Sequence, residues 1–447
     1  MRNYFSKAKH RIFCLFLAAL IFPFGFFLLP FPTVYAEKMS DNLSSLPITA
    51  TSYLIQSGSR GAVMANEKEE ELITTPSIHQ IMTCVLALES LTLDTLITIS
   101  SEAEAFDALR TTERLKIEKG DKYTVGFLIS AILYKDSRAA ALSLAEYIAG
   151  GEEAFSQQMN AFAERINLKN TIIASDYLQQ SENQKSTGIP SYTTLLDLGI
   201  LFRYALSKTT FREIFTSYSF DYFAPDKSYH SLRNTMSGAW VLSYDSAQIL
   251  GVSNFPFAHG SGTLVALAGN DNFECLILLN NVDNVALYDD LMKTLEGIYS
   301  TFEASDLVLS ESFYQEVQIE GIAEPIPAFF KSTIRYLHPK KDAYIEEETV
   351  FLPAEKLSLP ISNGTTIGQV IFRLKDGSEI SADVIAKEDI ALRSTGFMQI
   401  QRLFDANRNV FVIISTCFFL LIFVIIVKIT VKISRFSKKS STKNRNL

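Results

Sequence analysis

An unbroken apolar run near the C-terminus sets the first limit on how this chain of 447 residues can fold. Residues 410–427 contain no charged residue and are long enough to cross a lipid bilayer as a helix. Seven lysines and arginines follow in residues 428–447, without a single acidic residue. Because positive residues beside a membrane span stay in the cytoplasm, we expect a single-pass membrane protein with a cytoplasmic tail and an extracytoplasmic body.

The first 36 residues have the pattern of a secretory signal peptide. Four basic residues precede an apolar run from Ile12 to Leu29, and Ala36 supplies a small residue for cleavage. A retained N-terminal anchor is the alternative, because the apolar run is long and rich in aromatic residues. Both alternatives direct the chain to the membrane.

The body between these two ends is strongly acidic. Without the eleven basic residues of the ends, 30 basic residues face 49 acidic residues, which gives a net charge of −19. Such a body is a poor candidate for binding nucleic acid. Cys84 and Cys275 lie in apolar runs, which favours two buried thiols over a disulfide. The five histidines are scattered without metal-ligand spacing, so no metal or cofactor is expected.

Residues 37–305 have the pattern of one α/β domain. A strand at 50–56 with a hairpin partner at 62–65 precedes a series of amphipathic helices. Two apolar strands, 263–268 and 273–279, follow those helices. Strands at both ends of a helical region indicate that the termini of the domain meet in one sheet.

The sequence pattern changes after this domain, from amphipathic helices to short strands. Residues 306–390 contain short apolar strands separated by prolines and glycines, a pattern that predicts a small all-β domain. Residues 391–409 then form a linker to the predicted membrane helix.

The segment Thr75–Thr83 contains the candidate nucleophile, Ser77, at the start of a helical pattern. A lysine three positions after such a serine shares its helix face, where a desolvated amine can accept the serine proton. Gln80 occupies that position, and its neutral amide cannot accept the proton. His79 lies two positions after Ser77 on a different side of the helix, so a surface or capping histidine is favoured over a base. Serine is also a common helix N-cap, so Ser77 alone is weak evidence of activity.

Several stretches of the sequence together carry a resemblance to one protein family: Ser52–Ile55, Ile81–Thr83, Ala87–Glu89, Ala140–Ala141, Leu144–Glu146, Met159–Asn160, Leu264–Ala266 and Gly364–Gly368. Through them the chain resembles the serine-type D-Ala-D-Ala carboxypeptidases, low-molecular-mass penicillin-binding proteins that trim the terminal D-alanine from peptidoglycan stem peptides. The resemblance extends over about residues 45–390. It implies the penicillin-binding transpeptidase type of α/β fold: a central antiparallel sheet flanked by helices, then a small β-rich domain and a C-terminal transmembrane helix.

Three catalytic motifs implied by this resemblance are altered. Gln80 replaces the lysine of the family's S-x-x-K. Counting back from Glu146 places Asp136-Ser137-Arg138 at the family's S-x-N, which makes Ser137 a candidate catalytic residue and Arg138 a candidate substrate-binding residue. Asp136 and Arg138 are expected to pair with each other as a structural ion pair.

The third motif, K-T-G, has two possible positions. An ungapped count places Ser253-Asn254-Phe255 there, with Ser253 and Asn254 as candidate substrate-binding residues. Phe255 then replaces the glycine that lets the substrate backbone pass beside the strand. A shifted alignment uses His259 to Gly262 instead, which restores small residues and offers His259 as a binding residue, although such a glycine-rich stretch is typical of an ordinary turn.

The altered motifs favour a cell-envelope homologue of the carboxypeptidases that has lost hydrolysis and binds peptidoglycan stem peptides or a cell-wall synthesis protein. The alternative is an active carboxypeptidase with Ser77 as acyl nucleophile and a rearranged base, for which His259 and Lys135 are the candidates. A purely mechanical spacer without a ligand is the third possibility.

Overall fold

The computed structural model describes most of the body and the C-terminal helix. The predicted signal peptide, His259 and most of the predicted linker lie outside the described residues. The chain divides into two compact units: one extends to Ser310 and includes Ser332–Phe351 and Val370–Ala382, and the other comprises Glu311–Lys331, Leu352–Gln369 and the chain from Asp383. The described residues are 43, 46–108, 115, 117–175, 190–223, 227, 229–257, 260–319, 325–341, 344–354, 357, 359–375, 377–390 and 407–443.

Helices and strands alternate irregularly along the chain. The helices are α1 (Pro76–Ser90), α2 (Ser101–Ala108), α3 (Val125–Lys135), α4 (Arg138–Ala149), α5 (Glu152–Arg165), α6 (Leu195–Leu206), α7 (Thr209–Phe215), α8 (Leu287–Thr301) and α9 (Arg408–Lys443), with a short 3-10 helix at Ser237–Val241. The strands are β1 (Ser52–Ser57), β2 (Val63–Glu67), β3 (Leu96–Thr98), β4 (Lys122–Thr124), β5 (Ser219–Phe223), β6 (Tyr229–Arg233), β7 (Ser243–Tyr244), β8 (Ala247–Pro256), β9 (Ser261–Gly269), β10 (Glu274–Asp283), β11 (Phe302–Val308), β12 (Phe313–Val317), β13 (Ile326–Phe330), β14 (Ile334–Pro339), β15 (Ile345–Pro353), β16 (Thr366–Leu374) and β17 (Glu379–Ala386).

A six-stranded antiparallel sheet organises the first unit, with the strand order β2-β1-β10-β9-β8-β7. Strand β1 pairs with β10 from Ser52 opposite Asn280 to Ser57 opposite Cys275. The two ends of the domain therefore meet in one sheet, as the sequence predicts. Cys84 and Cys275 are buried free thiols, which is also the predicted arrangement.

The main core contains apolar side chains of this sheet and of the helices from α1 to α7. Helix α1 is buried along most of its length, including Ile78, Ile81 and Met82. Thr124 and Thr194 cap the N-termini of α3 and α6, and Gly150 ends α4 in the left-handed conformation that glycine tolerates best.

The predicted boundary between residues 305 and 306 falls within β11, which pairs with β14 in a two-stranded sheet. A five-stranded sheet follows in the order β12-β13-β17-β16-β15. Further along the chain, α9 includes the stretch Val412–Lys432, whose mean hydropathy is 2.9. By length and composition this helix could cross a membrane.

Glu89 connects four helices of the first unit. It lies at the end of α1 and accepts hydrogen bonds from Arg165 of α5 and Tyr204 of α6. Lys208, which precedes α7, places its Nζ 3.0 Å from Glu89 Oε1, the oxygen that Tyr204 also binds. Burial alone would raise the pKa of Glu89, but the hydrogen bonds from Tyr204, Arg165 and Lys208 outweigh it and lower that pKa to about 2.

We expect Glu89→Gln to lower the free energy of unfolding at pH 7 by about 1–2 kcal/mol, because the neutral amide loses the charge-assisted bonds. Since the folded pKa is depressed, this contribution is present above the ordinary pKa of about 4.5 and is lost as the pH falls towards 2. Urea unfolding of both proteins between pH 7 and pH 3 measures the difference.

Glu164→Gln is the matched control, since Glu164 is exposed on α5. It should leave the unfolding curve within a few tenths of a kcal/mol of the original protein. A Glu89→Gln deficit that stays constant down to pH 3 would contradict the assignment of Glu89 as an ionised anchor.

Candidate active site

The N-terminus of α1 holds the candidate nucleophile, but Ser77 does not cap the helix. Thr75 is the N-cap, and Pro76 takes the first helical position, where its missing N–H costs nothing. The Thr75 hydroxyl accepts a hydrogen bond from the Ser77 backbone N–H at 3.3 Å. Ser77 is the second helical residue, and its side chain is fully buried.

The Ser77 hydroxyl joins a buried chain of neutral polar groups. Its oxygen lies 2.8 Å from Thr75 Oγ1, which in turn lies 2.8 Å from Thr263 Oγ1 of β9. Thr263 donates to Asn280 Oδ1 of β10 at 3.0 Å, and Asn280 Nδ2 donates to Ser52 Oγ of β1 at 3.2 Å. The chain runs from the helix across three strands of the sheet.

The direction of these hydrogen bonds follows from the number of protons. Thr263 has one hydroxyl proton, which it donates to Asn280, so Thr75 donates to Thr263. Thr75 then has only lone pairs left for Ser77, and Ser77 must donate to Thr75. The Ser77 proton is therefore directed at a threonine hydroxyl, which cannot act as a general base at ordinary pH.

Gln80 points elsewhere. Its Nε2 donates to Asp136 Oδ1 at 2.6 Å, and both residues are almost completely buried. Asp136 follows α3 in the left-handed conformation, with φ of 51°. Gln80 Oε1 is buried without a hydrogen-bond partner in the described part of the chain. The position where a lysine would serve as a base thus carries an amide held by a carboxylate.

His79 is buried, with 7% of its side chain exposed, so the expectation of a surface or capping histidine is wrong. The inner side of α1 is covered so widely that even a residue two positions from Ser77 is enclosed. Burial, helped by the charge of Arg138, lowers the pKa of His79 to about 3. The ring is therefore neutral at physiological pH and a weak proton acceptor.

Among the described residues, no hydrogen bond joins Ser137 or Arg138 to Ser77. Ser137 caps α4 and accepts a hydrogen bond from the Ala140 backbone N–H at 3.2 Å. Arg138 is half-buried and acts on His79 electrostatically. The carboxylate of Asp136 accepts a hydrogen bond from Gln80, and the ion pair of Asp136 with Arg138 that the sequence suggests stays a prediction.

Strand β8 carries the remaining candidates. Ser253 and Phe255 are fully buried, and Asn254 between them is half-buried. Phe255 lies opposite Thr263 in the ladder, so its ring is on the sheet face that carries Thr263 towards Ser77. Pro256, the next residue, has no N–H to donate.

Gly260 lies just before β9, whose first residues are Ser261 and Gly262. Gly260 has a φ of 84°, and Phe257 donates its backbone N–H to the Ser261 carbonyl. His259 lies outside the described residues.

Thr263, Asn280 and Asn234 belong to this region although the sequence analysis did not select them. Asn234 donates Nδ2 to the Val252 carbonyl of β8 at 2.8 Å and accepts from the Met236 backbone N–H. Thr75 could have been identified from the sequence, since a threonine before proline is a typical start of a helix. The positions of Thr263, Asn280 and Asn234 depend on how distant parts of the chain pair, and no local sequence pattern identifies them.

Residues 38–246 match the family model described as D-alanyl-D-alanine carboxypeptidase. Over this stretch the chain is similar to that family. The family assignment suggested by the sequence is therefore confirmed.

Two curated relatives of the D-alanyl-D-alanine carboxypeptidase family show how far the similarity extends. The carboxypeptidase DacF of Bacillus subtilis (strain 168) is 22% identical over 395 residues, which cover 84% of this chain and 94% of that relative. The carboxypeptidase DacC of Escherichia coli (strain K12) is 26% identical over 163 residues, covering 35% of this chain and 40% of DacC.

Solved structures confirm the predicted fold. The structure described as a peptidoglycan synthesis regulatory factor (PBP3) from Streptococcus pneumoniae superposes with a TM-score of 0.64 at 18% identity, covering 77% of this chain and 99% of that one. Penicillin-binding protein 5 from Haemophilus influenzae gives a TM-score of 0.56 at 18% identity, covering 77% and 98%.

Gln80→Glu provides a test of the Gln80–Asp136 contact. Two carboxylates at this distance cannot both ionise, so the variant should lose about 2–4 kcal/mol of unfolding free energy at pH 7. Because the pair has a raised folded pKa, the loss should grow as the pH rises above about 4 and shrink below it, where a protonated carboxyl can donate again. Chemical unfolding between pH 4 and pH 8 measures this dependence.

Gln248→Glu makes the same chemical change at an exposed position of β8 and should have almost no effect. If Gln80→Glu matched Gln248→Glu at every pH, Gln80 would have to lie away from Asp136 in solution.

Proposed function

We propose that this protein is a membrane-anchored, cell-envelope homologue of the D-Ala-D-Ala carboxypeptidases that binds peptidoglycan stem peptides, or a protein of cell-wall synthesis, without hydrolysing a peptide bond. The observation that carries the proposal is the hydrogen bond from Gln80 to the buried carboxylate of Asp136. It leaves the position three residues after Ser77 without a group that can take a proton.

The environment of Ser77 supports the loss of acylation. A serine nucleophile needs an adjacent base and space for an acyl group. Ser77 donates its proton into a threonine–asparagine network and has no exposed surface. Removing a general base alone typically costs two or more orders of magnitude in rate.

The edge of the sheet supports the same conclusion. A peptide that adds to a sheet edge needs free backbone donors and acceptors along the strand. On β8 the Val252 carbonyl is already bonded by Asn234, and Pro256 offers no donor. Phe255 fills the space beside Thr263. A ligand bound near β8 would therefore not form the row of backbone hydrogen bonds that a peptide strand added along β8 requires.

The similarity to DacF over 94% of its length supports a retained role in peptidoglycan metabolism. The resemblance implies changes in three catalytic motifs, whereas the sheet and the helices of the domain are formed. This pattern is what a binding protein built on an enzyme fold would show.

The C-terminal helix supports anchoring. Val412–Lys432 is apolar, and the residues after it are basic without an acidic residue. On the positive-inside rule the tail is cytoplasmic and the domains lie on the other side of the membrane.

We expect the full-length protein, solubilised in detergent, to show no covalent band with a fluorescent penicillin, because Ser77 lacks a base. The labelling reaction is run beside Ser77→Ala, with circular dichroism of both proteins to show that they are folded. A stoichiometric band that disappears in Ser77→Ala would overturn the proposal and favour the alternative, an active carboxypeptidase with Ser77 as acyl nucleophile. Release of D-alanine from a stem pentapeptide would have the same meaning.

Ligand binding separates the proposal from a mechanical spacer. A ligand that binds only the folded state raises the unfolding temperature as its concentration exceeds its dissociation constant. Stabilisation of the non-labelled protein by a stem pentapeptide would support the binding role. No stabilisation by the peptide, together with no protein captured by the body, would favour the spacer.

The anchor makes a separate prediction. The full-length chain should remain with membranes after an alkaline carbonate wash, whereas a Leu421→Arg/Val424→Arg double variant should be released, since each arginine costs about 2.5–3.5 kcal/mol at the centre of a span. Immunoblotting of pellet and supernatant measures the distribution. The exposed pair Leu309→Arg/Val350→Arg is the control and should stay in the pellet. Release of the unaltered chain by carbonate would refute the anchor.

A further inference from the structure

The hairpin of β5 and β6 has two unlike faces. Its inner face packs on α3 and β4. The ring centroid of Tyr222 lies 5.3 Å from that of Phe127 in α3, and the centroid of His230 lies 5.7 Å from that of Tyr123 in β4. Leu232 is also buried. Because this face already fixes the hairpin, the composition of the outer face is free to serve another purpose.

The outer face carries an exposed pair of aromatic rings. Phe223 and Tyr229 lie opposite each other in the ladder, with centroids 5.2 Å apart and planes tilted by 49°. Phe223 is 70% exposed and Tyr229 is 57% exposed. Two large rings held side by side in water form a platform for an apolar surface of similar width.

Polar groups continue this platform along the hairpin. The pair Asp221 and Ser231 follows the two rings, and the pair Ser219 and Arg233 comes next, all on the same face. Tyr229 donates its hydroxyl to Asp221 Oδ1 at 2.7 Å. Hydrogen bonds from Tyr229 and then Ser231 hold the pKa of Asp221 below its usual value, so it stays an ionised acceptor. One carboxylate and one guanidinium leave the outer face without net charge.

We propose that this outer face of the β5–β6 hairpin binds a neutral polysaccharide strand, with sugar rings stacked on Phe223 and Tyr229 and hydroxyl or acetamido groups bonded to Asp221 and Arg233. Pyranose rings combine an apolar C–H face with polar edges, which matches rings next to a carboxylate and a guanidinium. The absence of net charge on this face distinguishes it from a surface for anionic lipid or nucleic acid, which collects basic residues. The inference rests on the proposed function only for the source of the glycan, the cell wall.

A stem peptide is a different ligand from the glycan. The proposed function concerns the stem peptide and does not assign it to the hairpin, whereas the glycan binds the hairpin. Binding of one can therefore fail without loss of the other, and each is measured with its own probe.

The test uses the full-length chain in lipid nanodiscs and a hexamer of β-1,4-linked N-acetylglucosamine, which has no peptide. We expect binding by isothermal titration or ligand-observed NMR, and a roughly five- to tenfold weaker affinity in Phe223→Ala, the change that loss of one stacking contact gives. Asp221→Asn keeps both rings and the shape of the face, and it should also weaken binding.

Phe313→Ala is the matched control. Phe313 and Phe329 form another cross-strand pair, with centroids 5.6 Å apart, and Phe313 is 57% exposed. Truncation there should leave glycan affinity unchanged. Thermal unfolding of each variant shows whether it is still folded. If Phe223→Ala is unfolded, the glycan affinity of Asp221→Asn alone tests the proposal.

Three outcomes would overturn the proposal. The first is no binding of the hexamer at millimolar concentration by the folded protein. The second is equal binding by the original chain, Phe223→Ala and Asp221→Asn. The third is loss of stem-peptide binding, or of binding to anionic vesicles, in these variants without any effect on the hexamer, which would assign the face to a peptide or a membrane.

Discussion

The pairing of β1 with β10 is the constraint on which the rest of this structure depends. It brings Ser52 opposite Asn280, more than half of the chain apart, and the two side chains share a hydrogen bond inside the ladder. The cost of closing so long a loop grows only slowly with its length, and the buried strands offset it. All the helices from α1 to α7 lie within the closed loop. Their packing therefore depends on a contact made by strands outside them.

The same pairing defines the region around Ser77. Asn280 accepts from Thr263, and Thr263 links to Thr75 at the start of α1, so the position of the helix is tied to the register of three strands. A slip of one residue in β9 would turn Thr263 to the opposite face and leave these hydroxyls unpaired. In this protein the polar atoms beside the serine work as a buried structural network. Its members satisfy one another, and none is titratable.

The sequence predicts the framework well because the framework is encoded locally. The series of amphipathic helices predicted between the first and last strands of the domain is present in the structure, and the apolar strands on both sides of the helices are found in one sheet. The burial of His79 could not be predicted, because it depends on what packs on α1 from other parts of the chain. The β5–β6 hairpin escaped detection for a related reason, since its outer face is polar and aromatic rather than apolar. Register-dependent contacts such as Thr75 with Thr263 have no local signal at all.

The change at Gln80 has to be understood together with Asp136. A buried carboxylate needs donors, and the Gln80 amide supplies one at 2.6 Å. A lysine in place of Gln80 would meet this carboxylate at ion-pair distance, which favours the charged amine and withholds the neutral form that a base requires. The ion pair with Asp136 would offset the cost of removing the lysine charge from water, so the lysine would interact with Asp136 and not with Ser77. With Asp136 present, a lysine at position 80 would be a poor base, and Gln80 supplies Asp136 with an amide donor. On the proposal that acylation is lost, its recovery would require both positions to change together, and Phe255 and Pro256 would still occupy β8, where the ungapped count places the family's K-T-G.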